Sequence, residues 1–250
     1  MTQYSHASTP PREPLPNAYG ALTTYCLDMS VTIAEEVLLL AHSEQDGKQL
    51  IGSTELNAAL GGAVLAELAV DGRIALSEKR VVVKDAAGGG AELDAELAAT
   101  MTRIVEDGKE RKPAWWVAKI GDSKLRTRLL TRLADTGVLT QERGKILGIF
   151  PTTRWPEADG RVEAEIRARV ASVLGGSEPD ERTAVLIAVL HAAKLDRKAF
   201  PGASKERIKE ITEGAWAGEA VAKTIAEINA VIMIAATSAA IGAATSASTG

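Results

Sequence analysis

The chain has 250 residues, of which 46% are hydrophobic but only 4% aromatic, so its core is built from Ala, Leu, Val and Ile, a composition that suits close-packed helices. A formal net charge of −4 gives no general attraction to nucleic acid or anionic membrane, and any such attraction has to come from a local patch. One cysteine, Cys26, excludes an internal disulfide and a cysteine zinc cage; it reads as a small core residue in a reducing compartment.

Residues 1–20 carry Pro10, Pro11, Pro14 and Pro16 among polar residues and are expected to form a loose arm, with 21–250 as one helical domain. No basic start followed by an apolar run opens the chain, so a cytoplasmic location is expected. From Thr32 a helix begins, with Thr32 or Ser30 as N-cap and Glu35 and Glu36 in the first turn, where the helix dipole favours acids. Ser53 or Thr54 caps the next helix, which carries apolar residues at 60, 64, 65 and 68. Gly72 stops it in the left-handed region, and a strand Ile74–Leu76, a polar turn at 77–80 and a strand Val81–Val83 follow.

Sixty-five residues later the unit recurs: Leu65, Leu68, Ala69, Gly72 and Ile74 match Leu130, Leu133, Ala134, Gly137 and Leu139. A turn at Glu142–Gly144 and a returning strand Ile146–Phe150 complete it, ended by Pro151 and Pro156. Similar helix-to-hairpin junctions and internal duplication both give this pattern. Between the units lie an amphipathic helix with Leu93, Leu97, Met101 and Ile104 or Val105 inward, and a short piece with Trp115, Trp116 and Ile120. A basic helix follows from Lys124 to Ala134.

Beyond the second hairpin, Val162–Leu174 is amphipathic, and Asp180 caps a very apolar helix reaching Leu195. The last helical region, from Lys205, has no charge after Glu227 and is Ala, Ser, Thr and Gly rich; it is expected to be a buried or frayed helix rather than a transmembrane span. The fold class is therefore mostly α, a single compact helical domain with two projecting β-hairpins in winged-helix-like units.

Positive signs of catalysis are missing. Gly88-Gly89-Gly90 lacks the lysine of a phosphate loop, His6, His42 and His191 have no partners at metal-ligand spacing, and no Gly-x-Ser-x-Gly turn is present. No cofactor or metal is expected, and the chain reads as non-enzymatic. His191, inside an apolar helix, reads as a satisfied core histidine.

The informative electrostatic feature runs from Lys119 to Arg154, with eight basic residues (Lys119, Lys124, Arg126, Arg128, Arg132, Arg143, Lys145, Arg154) against Asp122, Asp135 and Glu142, a net of +5. It reads either as a solvated helix face or as a surface for phosphates of nucleic acid or lipid. The first unit's helix, with Glu55, Glu67 and Asp71, is a poor reader of DNA. Beside the patch, Ile146, Leu147, Ile149, Phe150 and Trp155 supply an apolar element for insertion or assembly.

The residues resemble the Golgi phosphoprotein three family, whose bacterial relatives share its fold. The likeness rests on Thr32 with Glu35-Glu36-Val37-Leu38-Leu39-Leu40, Gly61-Gly62 through Glu67-Leu68-Ala69 to Gly72-Arg73-Ile74, and Val81 to Lys84. It continues in Gly137-Val138-Leu139-Thr140, Thr152-Thr153, and Asp180-Glu181-Arg182-Thr183 leading to His191. The resemblance implies a mostly helical domain, peripheral membrane association, phosphoinositide recognition by a Trp and several Arg, and a second hairpin used in self-association or membrane contact. Carried over residue by residue, the Trp falls at Ile51, two of the Arg at Leu60 and Ser123, and only Arg126 matches. Specific phosphoinositide binding is therefore not transferred.

The expectation is a non-enzymatic peripheral membrane protein on the cytoplasmic face that touches anionic phospholipid through Arg126, Lys124, Arg128 and Arg143. Leu147, Ile149 and Phe150 would make membrane or oligomer contact. The alternatives are a homo-oligomeric interaction or scaffold module without lipid binding, and a winged-helix nucleic-acid binder.

Overall fold

The helix that organises the chain is α2 (Ser53–Val70), whose side chains from Leu56 to Ala69 are buried almost without a break because other helices pack around it. A computed structural model describes residues 31–43, 48–84, 93–146, 150–214 and 217–247, with side chains at 144–146, 150–152 and 239–247 undescribed. The arm, Cys26, Gly88–Gly90, Leu147 and Ile149 lie outside the described residues, as does the side chain of Phe150. Val31–Gly250 forms one compact unit.

The elements follow in the order α1 (Ile33–Leu40), α2, β1 (Ile74–Ser77), β2 (Arg80–Val83), α3 (Ala95–Asp107), α4 (Pro113–Ile120) and α5 (Ser123–Asp135). Then come β3 (Glu142–Ile146), β4 (Phe150–Arg154), α6 (Arg161–Leu174), α7 (Glu181–Ala192), the short α8 (Asp196–Ala199), α9 (Lys205–Glu213) and α10 (Glu219–Ala247). The mostly α class holds, with two separate two-stranded antiparallel sheets among the described residues.

Thr32 caps α1 in a capping box with Glu35, and Asp180 caps α7, as the sequence predicts. For α2 the N-cap is Gly52, not Ser53 or Thr54, and it makes no side-chain cap bond. In α3 the inward choice is Ile104, while Val105 is 59% exposed.

The two helix-to-hairpin junctions share their geometry. Leu68 O accepts from Arg73 N and Ala69 O from Gly72 N, and Leu133 O and Ala134 O accept likewise from Val138 N and Gly137 N. Gly72 and Gly137 have φ of 68° and 79°, the left-handed conformation that closes such a helix end. The hairpins differ from expectation. The first turn is only Glu78-Lys79, both at positive φ, a tight turn that suits strand twist. Glu142–Gly144, expected as a turn, is strand paired with Arg154–Thr152, and the return strand runs Phe150–Arg154 rather than ending at Phe150. Pro151 is tolerated because every strand of a two-stranded ribbon has a free edge for its missing N–H.

Glycines set the helix spacing around α2. A Cβ on Gly61 would lie 2.7 Å from Val117 O and 2.8 Å from Gly121 N, so α4 and the following turn approach α2 backbone to backbone. Gly62, about 100° further round α2, receives Ile228 and Ile232 of α10.

Candidate functional site

Five helices, α1, α2, α5, α6 and α7, bring charge to one another in the interior. Glu35 Oε2 accepts from Thr32 N at 2.9 Å, and Glu35 Oε1 from Arg132 Nε of α5 at 2.6 Å. Arg132 also pairs with Asp94. Glu36 accepts from Arg169 of α6 at 2.7 Å and from Arg182 of α7 at 3.1 Å, and Arg182 reaches Glu67 of α2 at 2.5 Å. Glu67 in addition accepts Ile33 N at 2.8 Å. All three glutamates are buried. Burial pushes the Glu67 carboxyl above its usual range, partly offset by Arg182. The first-turn dipole role expected for Glu35 and Glu36 is thus a minor part of their work: they are buried partners of arginines that arrive from far along the chain.

This network takes charge out of the basic patch. Arg132 is held by Glu35 and Asp94, and Arg128 lies on Glu96 of α3 with paired bonds of 2.9 and 2.7 Å. Lys119, Lys124 and Arg143 are exposed and have no ion-pair partner among the described residues. An open groove of about 480 Å³ follows the outer face of α5 past Lys124, Thr127, Arg128 and Arg132.

Arg126 stands apart. Its Nη1 donates to Ser53 Oγ at 3.2 Å and to Gln49 Oε1 at 3.4 Å, which places the guanidinium beside the first turn of α2. With no side-chain cap at Gly52, the first N–H groups of α2 are available and carry the positive end of the helix dipole. Gln49 bridges back to His42, and Gln49 Nε2 donates to Ile51 O. The site thus gathers Arg126, Ser53, Gln49 and the backbone around Ile51, and Lys124 follows on the same α5 turn. His42 is pushed below its ordinary pKa, chiefly by burial and further by the nearby Arg126 charge. One acid intrudes: the Glu55 carboxylate folds back over Gly52. Sequence reasoning missed Ser53, Gln49 and Glu55, and the signal was the polar run at the start of α2.

Of the sequence-predicted site residues, Arg126 and Lys124 share one end of α5, Arg128 is engaged two residues further on, and Arg143 sits separately on β3, paired across the ribbon with Thr153. His191 is not a core residue: its side chain is 40% exposed, and Nδ1 lies 2.8 Å from the buried Asp196, which raises its pKa. Among the described residues no group of three or more His, Cys, Asp or Glu could hold a metal.

Comparison with known proteins gives the context for this arrangement. The profile of Golgi phosphoprotein 3 (GPP34) matches residues 33–228. Vacuolar protein sorting-associated protein 74 of Schizosaccharomyces pombe is 30% identical over 166 residues, covering 58% of this chain and 48% of its own length. The chain thus spans about half the length of this curated relative. A match running from the first residue of α1 into α10, through the buried glutamates, both glycine-closed junctions and Arg126, makes the chain a member of the Golgi phosphoprotein 3 (GPP34) family.

Proposed function

We propose that this protein is a peripheral membrane protein that touches anionic phospholipid at the start of α2, without the specific phosphoinositide recognition of its family. The observation that carries the reading is the placement of Arg126 within hydrogen-bonding distance of Ser53, at a helix N-terminus whose cap supplies no side chain. A phosphate there accepts from Arg126, Ser53 and the first N–H groups of α2.

Lys124, two residues from Arg126 on α5 and about 200° round the helix, adds a free cation to the field, as do Arg143 and Lys119; each basic residue near an anionic surface contributes about 1 kcal/mol. Arg128 joins only by leaving Glu96. Ile51, Leu60 and Ser123 stand where the resemblance expects a Trp and two Arg, and Glu55 covers Gly52, so the contact is weak and selects charge rather than one headgroup. Leu147, Ile149 and Phe150, which fall in sequence between β3 and the start of β4, would add insertion or contact with a second copy.

The nucleic-acid reading has less support, because Arg128 and Arg132 are tied to carboxylates and leave little free charge on α5 for a phosphate backbone.

The test is co-sedimentation with phosphatidylcholine vesicles with and without phosphatidylserine, at low and physiological salt. Wild type should bind as the anionic fraction rises, and Arg126→Glu and Phe150→Asp, both folded, should bind less. Glu55→Gln should bind more tightly. Equal binding to neutral and anionic vesicles would overturn the proposal.

A further inference from the structure

The C-terminal helix offers a surface that the headgroup site does not use. No charged residue follows Glu227 in α10. Its inner side buries Ile225, Ile228, Ile232 and Ala236, while Met233 is 44% and Ile234 67% exposed, the latter the most exposed large apolar side chain among the described residues. Ala226, Ala230, Thr237 and Ser238 are exposed with them. The two hydroxyls are not waiting for water: Thr237 Oγ1 donates to Met233 O at 2.8 Å and Ser238 Oγ to Ile234 O at 2.9 Å. A face with no charge and internally bonded hydroxyls loses little on leaving water. From Glu219 to Ser238 the helix is also long and apolar enough to cross a membrane by length and composition, with only 28% of it buried.

The direction of α10 decides what this face meets. Thr224 Oγ1 accepts from Leu76 N at 3.2 Å, just beyond the C-terminal end of α2, and Ile228 and Ile232 rest on Gly62. Helix α10 therefore runs antiparallel along α2, towards Ser53. At 1.5 Å per residue Ser53 is about 14 Å from Gly62, whereas Ala247 is about 22 Å beyond Ile232. The uncharged end of α10 reaches the end of the fold that carries Ser53 and Arg126.

We infer that the outer face of α10 from Ala230 to Ser238, with Met233 and Ile234 as its large apolar contacts, lies against the acyl boundary of the bilayer whose anionic headgroups meet Arg126. The inference rests on the headgroup reading above. A bilayer fits this face better than a second copy of the chain. A stable dimer buries about 800 Å² on each partner, and two large side chains among small ones fall short of that, with no charge or free hydroxyl to fix a register. The continuity with the Arg126 site points the same way.

The experiment compares wild type, Ile234→Asp and Arg126→Glu in binding to phosphatidylcholine–phosphatidylserine vesicles at low and high salt, with circular dichroism for the fold and analytical ultracentrifugation for the oligomeric state. Ile234→Asp, at an exposed position, should keep the fold and bind about tenfold more weakly at either salt. Arg126→Glu should lose most at low salt, where charge is least screened. Wild-type binding by Ile234→Asp, with Arg126→Glu impaired, overturns the inference and leaves the headgroup reading standing. The reverse pattern keeps the apolar contact and removes the headgroup site. An oligomer lost in Ile234→Asp with vesicle binding unchanged makes the face a contact between copies and overturns the inference, as does a wild type that ignores anionic vesicles.

Discussion

Arg132 on α5 and Glu35 on α1, ninety-seven residues apart, meet with Nε 2.6 Å from Oε1, and the glutamate is 1% exposed. The same carboxylate holds Thr32 N, so one buried charge both caps α1 and fastens α5 to it. Removing the arginine leaves that charge unpaired in the interior. Arg132→Met should therefore cost about 3–5 kcal/mol, whereas Glu35→Gln, which removes the charge and keeps an oxygen for Thr32, should cost less. Urea unfolding reads the difference as a shift of midpoint at constant slope.

The paired glycines of α2 make different demands. A methyl group at Gly61 meets Val117 O and the Gly121 backbone at 2.7 to 2.8 Å, and backbone cannot step aside. At Gly62 the obstacle is the flexible end of Ile232. Gly61→Ala should thus destabilise by at least the upper part of the usual overpacking range, about 3 kcal/mol, and Gly62→Ala by about 1 kcal/mol. Thermal unfolding of the two variants orders them, and equal losses would show that α4 yields.

Periodicity and punctuation made most of the fold legible. Thr32 and Asp180 announce helix starts, Gly72 and Gly137 announce stops, and the apolar stripe of each helix between them falls on the buried side. What a linear reading could not see were partners distant in sequence. Counting charges from Lys119 to Arg154 gives a patch of +5, but Glu35, Asp94 and Glu96, supplied by α1 and the start of α3, absorb Arg132 and Arg128. Arg126 was legible as a candidate for the proposed site through resemblance, while its neighbours Ser53 and Gln49 lie 73 and 77 residues away and carry no motif. The extent of the second hairpin was misread because Pro151 looks like a strand breaker until the ribbon is known to have two free edges.

His191 should make stability depend on pH. Its hydrogen bond to Asp196 raises its pKa above the ordinary 6.5, so the folded state holds the proton more tightly than the unfolded chain. That contribution is complete below about pH 6.5 and disappears as pH rises through the folded value. His191→Gln should consequently lose more stability at pH 5.5 than at pH 8.5, measured by urea unfolding at the two pH values. A loss equal at both would mean that the pair works only through its neutral hydrogen bond.

His42 reports on the proposed headgroup site from the opposite direction. Burial is the main cause of its depressed pKa and the Arg126 charge a lesser one, so the folded state prefers the neutral ring and stability falls as pH drops below about 6.5. Arg126→Gln removes only the lesser cause. The His42 pKa should rise but stay below 6.5, and NMR titration of its ring protons measures the change. A bound phosphate acts on the same charge from outside, so saturating wild type with glycerophosphoserine should move the pKa in the same direction as the substitution. In Arg126→Gln the ligand should have no further effect. A His42 titration unmoved by both would place Arg126 too far from the ring to sense it and the anion elsewhere.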